Sequence, residues 1–578
     1  MTSIGRERRD AVDGSIIIGR TEGQQESTLC ITARRACLSG CWLQSDATWS
    51  VFVALILLAA VLRVVPWLAG YPLHRDEALY GYWARLIASG RDPLLLTAWV
   101  DKPPLAIYLL AASLKLGGVS ELALRLPGMI AGLLLIPATY TFARQAYDSP
   151  TARLASALVA LSPFAILFAP TAFTDPWLAL WLLVASWAAL ADRPVLSGLS
   201  LGLAVASKQQ GILAVPLVIG LLLVGRHIPG RSRTALARGG DWRTTLCSLG
   251  LGLIGFALVF GPLTYWDSLR WAKRPSFWDR SLITYGGLSI AGLGEWIPRA
   301  RGWLEQFRYL YGTSLLSGIV ICLAAAPCCM AAWQVWTSRR HPTAAGKGWP
   351  PASSLSSAET ERDLGRKRSV DLTLGAYAAA YVCLHWLVTF QIWDRYLLPL
   401  VPLTAILGAR GAVQVLQRTR SRARVPITAA AIAVMALAAQ GAWLGTTARL
   451  PVGSDHGAFV GMQQVASFVR GRPAGSVVFH HSLGWYFDFY LFDAPQERRW
   501  YDTPVRLASD AAATLNERPG SELWLALSDG EQPTAEQIKA ALAAQGLHLA
   551  EAERIYRRDG SVSLLIYRIT STTLATHS

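Results

Sequence analysis

VFVALILLAAVLRVVPWLAGYPLHRDEALYGYW, residues 51–83, joins an apolar run to a cluster of charges almost without transition. Val51 to Leu68 is about as long as a helix must be to cross roughly 30 Å of hydrocarbon. Where the run stops, Arg75-Asp76-Glu77 begins, and Asp101-Lys102-Pro103-Pro104 follows further along. Adjacent carboxylates at a membrane edge, with a lysine before two prolines downstream, suggest a site that handles a hydroxyl and a phosphate together.

The rest of the chain supports the membrane reading. Of 578 residues, 52% are hydrophobic and only 16% are charged, whereas a soluble chain carries about 25% charge. That balance, with 23 Trp, excludes an ordinary soluble globular protein and points to an α-helical polytopic membrane protein. Eleven spans are predicted, at 51–68, 126–143, 154–171, 175–191, 195–207, 211–225, 245–265, 310–335, 371–390, 396–415 and 425–446. The two around Lys208 are short and read as a broken pair. Segment 104–118 is apolar but shorter than a span, and fits an interfacial or re-entrant helix. The run 51–68 starts too far into the chain for a cleavable signal and reads as a retained helix.

Orientation follows from the basic loops. The tail 1–48, Arg226 to Arg243, Arg339 to Arg368 and Arg418 to Arg424 are rich in Lys and Arg and alternate as cytoplasmic segments under the positive-inside rule. The segment 267–308 would then lie outside although it carries Arg270, Lys273, Arg274, Arg280, Arg299, Arg301 and Arg308; long loops translocate largely regardless of charge. Such a loop hints at anionic material on the outer face. Three domains follow: a basic cytoplasmic tail 1–48 without fixed structure, a membrane domain 49–448 with a first outer loop 71–125, and an extracytoplasmic α/β domain 449–578. In the last, Val477-Val-Phe, Glu522-Leu-Trp-Leu-Ala-Leu and Val562-Ser-Leu-Leu-Ile-Tyr read as strands, with helices at 458–469 and at 533–544, the second capped by Thr534. Residues 342–369 read as a linker.

Projected on this topology, ionisable residues from distant segments share the outer edge: Asp76, Glu77, Asp101 and Lys102 in the first loop, Asp175 at a helix start, Lys208 between two short spans, and Asp394-Arg395-Tyr396 ahead of the tenth span. Charges at a membrane are expensive and usually functional. Singly, Asp175 could be a helix cap and Lys208 or Arg395 a snorkelling cation; the set on one face argues for a site. A sugar held on a lipid phosphate reacts with an acceptor hydroxyl when a carboxylate takes the hydroxyl proton and cations meet the charge on the departing phosphate. The adjacent carboxylates need not both act: one can face the site while the other buttresses a helix N-terminus.

Tyr71-Pro-Leu-His-Arg-Asp76-Glu77-Ala-Leu-Tyr80, Asp101-Lys102-Pro103-Pro104-Leu-Ala-Ile-Tyr and Ala123-Leu-Arg125-Leu-Pro127 resemble the first outer loop of the family 39 glycosyltransferases, GT-C enzymes that include bacterial aminoarabinose transferases acting on lipid A and protein O-mannosyltransferases. The likeness is tight over 71–145, looser through Thr174-Asp175-Pro176, Ser207-Lys208 and Arg395-Tyr396-Leu-Leu-Pro399, and fades in the C-terminal domain. It implies a polyprenyl-monophosphate sugar donor, a lipid, protein or glycan acceptor, and inversion by direct displacement. It further implies Asp76 as base or acceptor-positioning carboxylate with Glu77 its partner, Lys102 and Arg395 on the donor phosphate, and Asp101, Asp175, Lys208, Tyr80, Tyr396 and Arg125 lining the site. Asp101 stands where relatives often have Glu. Asp76-Glu77 is not the Asp-x-Asp spacing of metal-dependent sugar transferases, in keeping with a member that needs no metal or other cofactor.

Other motifs are weak. Gly250-Leu-Gly252-Leu-Ile-Gly255 fits a dinucleotide-binding pattern but lies inside a span, where small residues serve helix packing. His480-His481 near Asp488 reads as ordinary surface or core histidine. Cys37-Leu-Ser-Gly-Cys41 lacks a second ligand pair. Arg418 to Arg424 reads as an anchor to anionic lipid, not a nucleic-acid patch. The sequence thus points to a multi-pass glycosyltransferase of a bacterial cytoplasmic membrane; the rivals are a flippase or transporter of lipid-linked sugars, and an inactive relative serving as a scaffold.

Overall fold

In the computed structural model the described residues are 46–226, 242–284, 287–340, 355–418, 424–453 and 457–571. The tail 1–45 with Cys37 and Cys41, the basic loops 227–241 and 419–423, and residues 342–354 of the expected linker lie outside them. The chain divides into two units. Of the first, Met1–Leu55, the described part is the opening of a helix; the second, Ile56–Ser578, holds everything considered below.

Eight helices among the described residues are long and apolar enough to cross a membrane, and three more, Leu105–Gly117, Asp175–Leu190 and Pro194–Ser207, are apolar but shorter. The chain opens α1 (Asp46–Leu68), α2 (Arg75–Ala88), α3 (Leu105–Gly117) and α4 (Glu121–Ala146). At 13 residues, α3 is about 20 Å long, too short for a full crossing. The span expected at 154–171 is instead two helices, α5 (Ser149–Leu161) and α6 (Pro163–Phe168). Pro163 has no N–H to give Val159 and forces the break, a signal that unbroken hydropathy concealed. Arg63 of α1, fully buried, takes up the loose end: its Nη2 donates to Val159 O at 3.1 Å and its Nη1 to Ala160 O at 3.0 Å. A guanidinium inside a span is tolerated here because it satisfies backbone acceptors that the proline leaves open.

Next come α7 (Asp175–Leu190) and α8 (Pro194–Ser207). Against α8 lies the long helix Trp242–Arg270. A Cβ on Gly198 would meet Gly252 O at 1.9 Å, and one on Gly255 would meet Val195 O at 2.2 Å, so Gly252 and Gly255 of the glycine motif serve close helix contact. Helix Leu355–Leu387 absorbs 355–369 of the expected linker. Asp363 and Lys367 pair at 2.6 Å one turn apart, and Arg366 Nη1 reaches Gln145 O at 3.0 Å; helix formers with an i,i+4 ion pair explain the extension.

The C-terminal part is a five-stranded sheet, β1 (Val477–His480), β2 (Glu497–Trp500), β3 (Leu523–Ser528), β4 (Leu547–Tyr556) and β5 (Val562–Ser571), in the order β2-β1-β3-β5-β4. β1 runs parallel to β2 and β3, and β5 antiparallel to β3 and β4. The sequence reading missed β2 and β4. Both are edge strands, and β2 is Glu-Arg-Arg-Trp, where charge replaces apolar alternation. It also missed helices Gly484–Tyr490 and Pro504–Glu517, and misplaced one cap: Gln532–Ala543 starts after Glu531, so Thr534 lies inside the helix.

This domain braces α2. A Cβ on Gly81 would meet the Phe489 ring at 2.7 Å, so the two helices meet at a glycine. Arg85 donates to Phe489 O and pairs with Asp493, each at 2.5 Å, and Tyr486 Oη donates to Leu73 O at 3.1 Å.

Candidate active site

After α1 ends, Gly70 (φ +64°) turns the chain and His74 caps α2. His74 Nδ1 accepts from Asp76 N at 3.0 Å while Glu77 Oε2 accepts from His74 N at 2.8 Å. This is a capping box with histidine in the usual Ser/Thr place. It commits Glu77. Arg125 of α4 grips that carboxylate with Nε and Nη2 at 2.9 and 2.8 Å, and Ala172 N adds a bond at 2.9 Å. The same guanidinium holds Tyr71 O at 2.6 Å and Pro72 O at 2.9 Å. Burial pushes Glu77 up, but Arg125 and these hydrogen bonds outweigh it and hold the carboxyl below its ordinary value. Glu77 and Arg125 are therefore a buried, mutually satisfied pair that fixes the start of α2.

Asp76, one residue earlier, meets a different set of groups. Its Oδ2 lies 2.7 Å from Nη2 of Arg395, and its side chain is 22% exposed. Burial raises its proton affinity; Arg395, His74 and Lys102 lower it further, so the group sits below the usual carboxylate range. Arg395 stands on the 3₁₀ turn Asp394–Leu397 ahead of helix Leu400–Arg418. Its guanidinium lies over Phe173 and Trp393, 4.8 and 5.1 Å from the ring centres. Asp394 latches the turn, its Oδ1 accepting from Arg395 N and its Oδ2 from Gly453 N, both at 2.7 Å.

Lys102 and Asp101 pair at 2.6 Å just before the Pro103-Pro104 entry to α3, and Gln209 Nε2 donates to Asp101 O at 3.2 Å. Lys208 ends α8 in an extended conformation (φ −154°, ψ 132°). Its Nζ sits 2.5 Å from Oδ1 of Asp175, the first residue of α7, and 4.6 Å from the centre of the Tyr396 ring. Burial pulls Lys208 down to about 8 against the pull of Asp175, with Arg395 and Lys102 among the charges pushing the same way. Tyr80, one turn into α2, is buried against Trp83.

The structure thus brings Asp76, Lys102, Asp175, Lys208 and Arg395 into one electrostatic cluster, with Asp101, Tyr80 and Tyr396 around it, while Glu77 and Arg125 stand behind it as support. Lys102, Lys208 and Arg395 each rest on a carboxylate, Asp101, Asp175 and Asp76. The sequence reading did not single out Phe173, Trp393, Gln209 or His74; only His74 carried a signal, standing three residues before Glu77 at a helix start. In the C-terminal domain His480 packs on the Phe487 ring and Asp488 lies 3.8 Å from Arg498, and no group of three His, Cys, Asp or Glu side chains among the described residues is arranged to hold a metal.

The sequence profile of the dolichyl-phosphate-mannose-protein mannosyltransferase family matches residues 101–265. No curated protein matches the chain in sequence. Among solved structures, ArnT from Cupriavidus metallidurans in the apo state is similar over 92% of this chain and 99% of its own, with a TM-score of 0.57 at 16% identity. The fold is that of the GT-C glycosyltransferases. ArnT bound to undecaprenyl phosphate matches over 90% of this chain and 98% of its own, with a TM-score of 0.54 at 16% identity. The apo oligosaccharyltransferase of Archaeoglobus fulgidus matches over 90% of this chain and 75% of its own, at 0.50 and 14%. In GT-C terms the chain is a multi-pass membrane protein with a small C-terminal sheet domain.

Proposed function

We propose that the chain is an integral-membrane glycosyltransferase that moves a sugar from a polyprenyl-phosphate donor to an acceptor hydroxyl or phosphate at the outer face of a bacterial cytoplasmic membrane. The observation that carries this reading is the contact between Asp76 and Arg395, with Lys102 near enough to act on Asp76 and Lys208 near enough to feel Arg395 and Lys102. The ArnT structure that holds undecaprenyl phosphate supports the donor class.

In this reading Asp76 accepts the proton of the acceptor hydroxyl as the acceptor oxygen bonds to the anomeric carbon. The bond from that carbon to the phosphate oxygen breaks, and its electron pair leaves with the polyprenyl phosphate. Lys102 and Arg395 meet the charge that develops there. A guanidinium has five N–H donors, so Arg395 can hold Asp76 and a phosphate oxygen at once. Displacement in one step inverts the anomeric carbon, and no residue role requires a metal. A transporter would carry its ionisable groups near the bilayer midplane; here Asp175 opens a helix and Lys208 closes one, which favours the transferase.

The test is Asp76→Asn in the full chain. Expected is an intact, donor-binding protein whose turnover falls by roughly 10²–10⁴, the usual contribution of a general base, with one sugar increment lost from the surface glycans or lipids by mass spectrometry. Near-normal turnover would sink the assignment. Unchanged glycans with a polyprenyl-phosphate sugar accumulating on the cytoplasmic leaflet would make the chain a flippase.

A further inference from the structure

A cavity of about 580 Å³ lies where the C-terminal domain meets the loops after α1 and α6, within the range of small-molecule sites. Its lining includes apolar Pro66, Leu167 and Pro170 and polar Gln463, Gln464, Glu121 and Tyr490. The lining also includes the Glu77–Arg125 pair. The charges around it cancel: Glu77, Glu121 and Asp559 face Arg125, Arg557 and Arg558. Several are already engaged. Arg557 Nε donates to Gly457 O at 3.0 Å, and Glu121 Oε1 accepts from Gln463 Nε2 at 2.5 Å and from Tyr490 Oη. A balanced lining of amides, a phenol and engaged ions has hydrogen bonds to offer a neutral polar ligand. Phe459 adds an aromatic face that rests on Tyr486, ring centres 5.0 Å apart.

We propose that this cavity binds a neutral saccharide head of the acceptor through its hydroxyls, an inference that rests on the transferase reading. The mixed apolar and polar lining fits a sugar lying at a membrane surface, and the C-terminal domain supplies half of the polar side chains, which gives that domain a role.

The test uses the full chain in its own membranes, with p-benzoylphenylalanine in place of Phe459 as a photo-crosslinker and the same group at exposed Val505 as control. A saccharide-bearing adduct at position 459 is expected, absent at 505. Gly70→Asn should reduce it roughly tenfold, the worth of one or two hydrogen bonds, with undecaprenyl phosphate binding retained. Gly70 lines the cavity at φ +64°, a Cβ there meets nothing within 4 Å, and Asn tolerates that conformation. A peptide adduct, an adduct of a phosphate-bearing lipid, no adduct above the control, or an adduct indifferent to Gly70→Asn would overturn the proposal. The glycan profile of Asp76→Asn reports separately on the transferase reading. A lost sugar increment without a saccharide adduct overturns this inference alone; an adduct with an unaltered profile overturns the reading beneath it.

Discussion

Glu77 and Asp76 are neighbours in sequence, yet their contacts predict opposite outcomes when each is removed. Glu77 receives four hydrogen bonds, two from Arg125 and one each from His74 N and Ala172 N, and its side chain is 3% exposed. Deleting one partner of a buried pair leaves the other charge uncompensated and costs about 3–5 kcal/mol, whereas deleting both costs less than the sum. Glu77→Ala and Arg125→Ala should each lose about 3–5 kcal/mol, and the double variant should recover about 2 kcal/mol or more of the summed loss. The assay is the fraction of detergent-solubilised protein that stays monodisperse after heating, read by size exclusion for all four corners of the cycle. The sign of the pH effect follows. Because Glu77 binds its proton more weakly in the folded chain than in the unfolded one, its stabilisation is present above the unfolded value and is lost as pH falls through the lower, folded one. Asp76→Asn keeps a hydrogen-bond acceptor beside Arg395 and, at a 22% exposed side chain, should lower heat stability less than Glu77→Ala does. Purely additive losses, or a Glu77→Ala protein that is as heat-stable as wild type but inactive, would refute the supporting role and return Glu77 to the chemistry.

Further predictions follow from the cation cluster. Arg395→Gln removes the nearest positive neighbour of Asp76, so the acid limb of turnover, below the usual carboxylate range in wild type, should move to higher pH; a pH–rate profile that keeps its acid limb in place would dissociate the two. With Lys208 pulled down to about 8, affinity for a polyprenyl phosphate should weaken as pH rises past that value, and Lys208→Arg should flatten the dependence in a donor titration; an unaltered slope would remove Lys208 from the donor site. Lys102→Ala should weaken the same titration, and an unchanged curve would reject its role. Gly255→Leu, whose Cβ would lie 2.2 Å from Val195 O, should destabilise the contact of Trp242–Arg270 with α8, seen as lower heat stability. For topology, a periplasm-active reporter should work when fused after Arg449 and stay silent near Gly346; the reverse would place the site on the other side of the membrane.

How much of this was legible follows from which physics writes each feature into the chain. Span length and the charges at span ends are local, so the polytopic class and the membership of Asp76, Lys102, Asp175, Lys208 and Arg395 in one cluster could be read directly. Hydropathy averages over a window and is blind to a single missing N–H, so the break at Pro163 and its repair by Arg63 went unseen. Edge strands lack an apolar signature, so β2 and β4 were lost while the buried β3 was found. Nothing local separates Asp76 from Glu77. Their division of labour is set by His74 and by Arg125 on another helix, and only the first is within reach of a sequence pattern.

The pairing of charges has a mechanistic meaning that no list of residues conveys. Lys102, Lys208 and Arg395 rest on Asp101, Asp175 and Asp76 at 2.5–2.7 Å, because a buried cation without a partner costs several kcal/mol. On the transferase reading, an incoming phosphate competes with these carboxylates for the same cations. As Arg395 turns part of its donor set to the phosphate, the charge that held Asp76 below the carboxylate range is shared, and the proton affinity of Asp76 rises. Donor binding would then strengthen the base at the moment an acceptor hydroxyl needs one, while before it the ion pair keeps Asp76 a poor base and spares the site from activating water. The acid limb of turnover should therefore lie higher with donor saturating than at low donor. Coincident limbs under the two conditions would mean that Arg395 never leaves Asp76, and that Lys102 and Lys208 alone receive the phosphate.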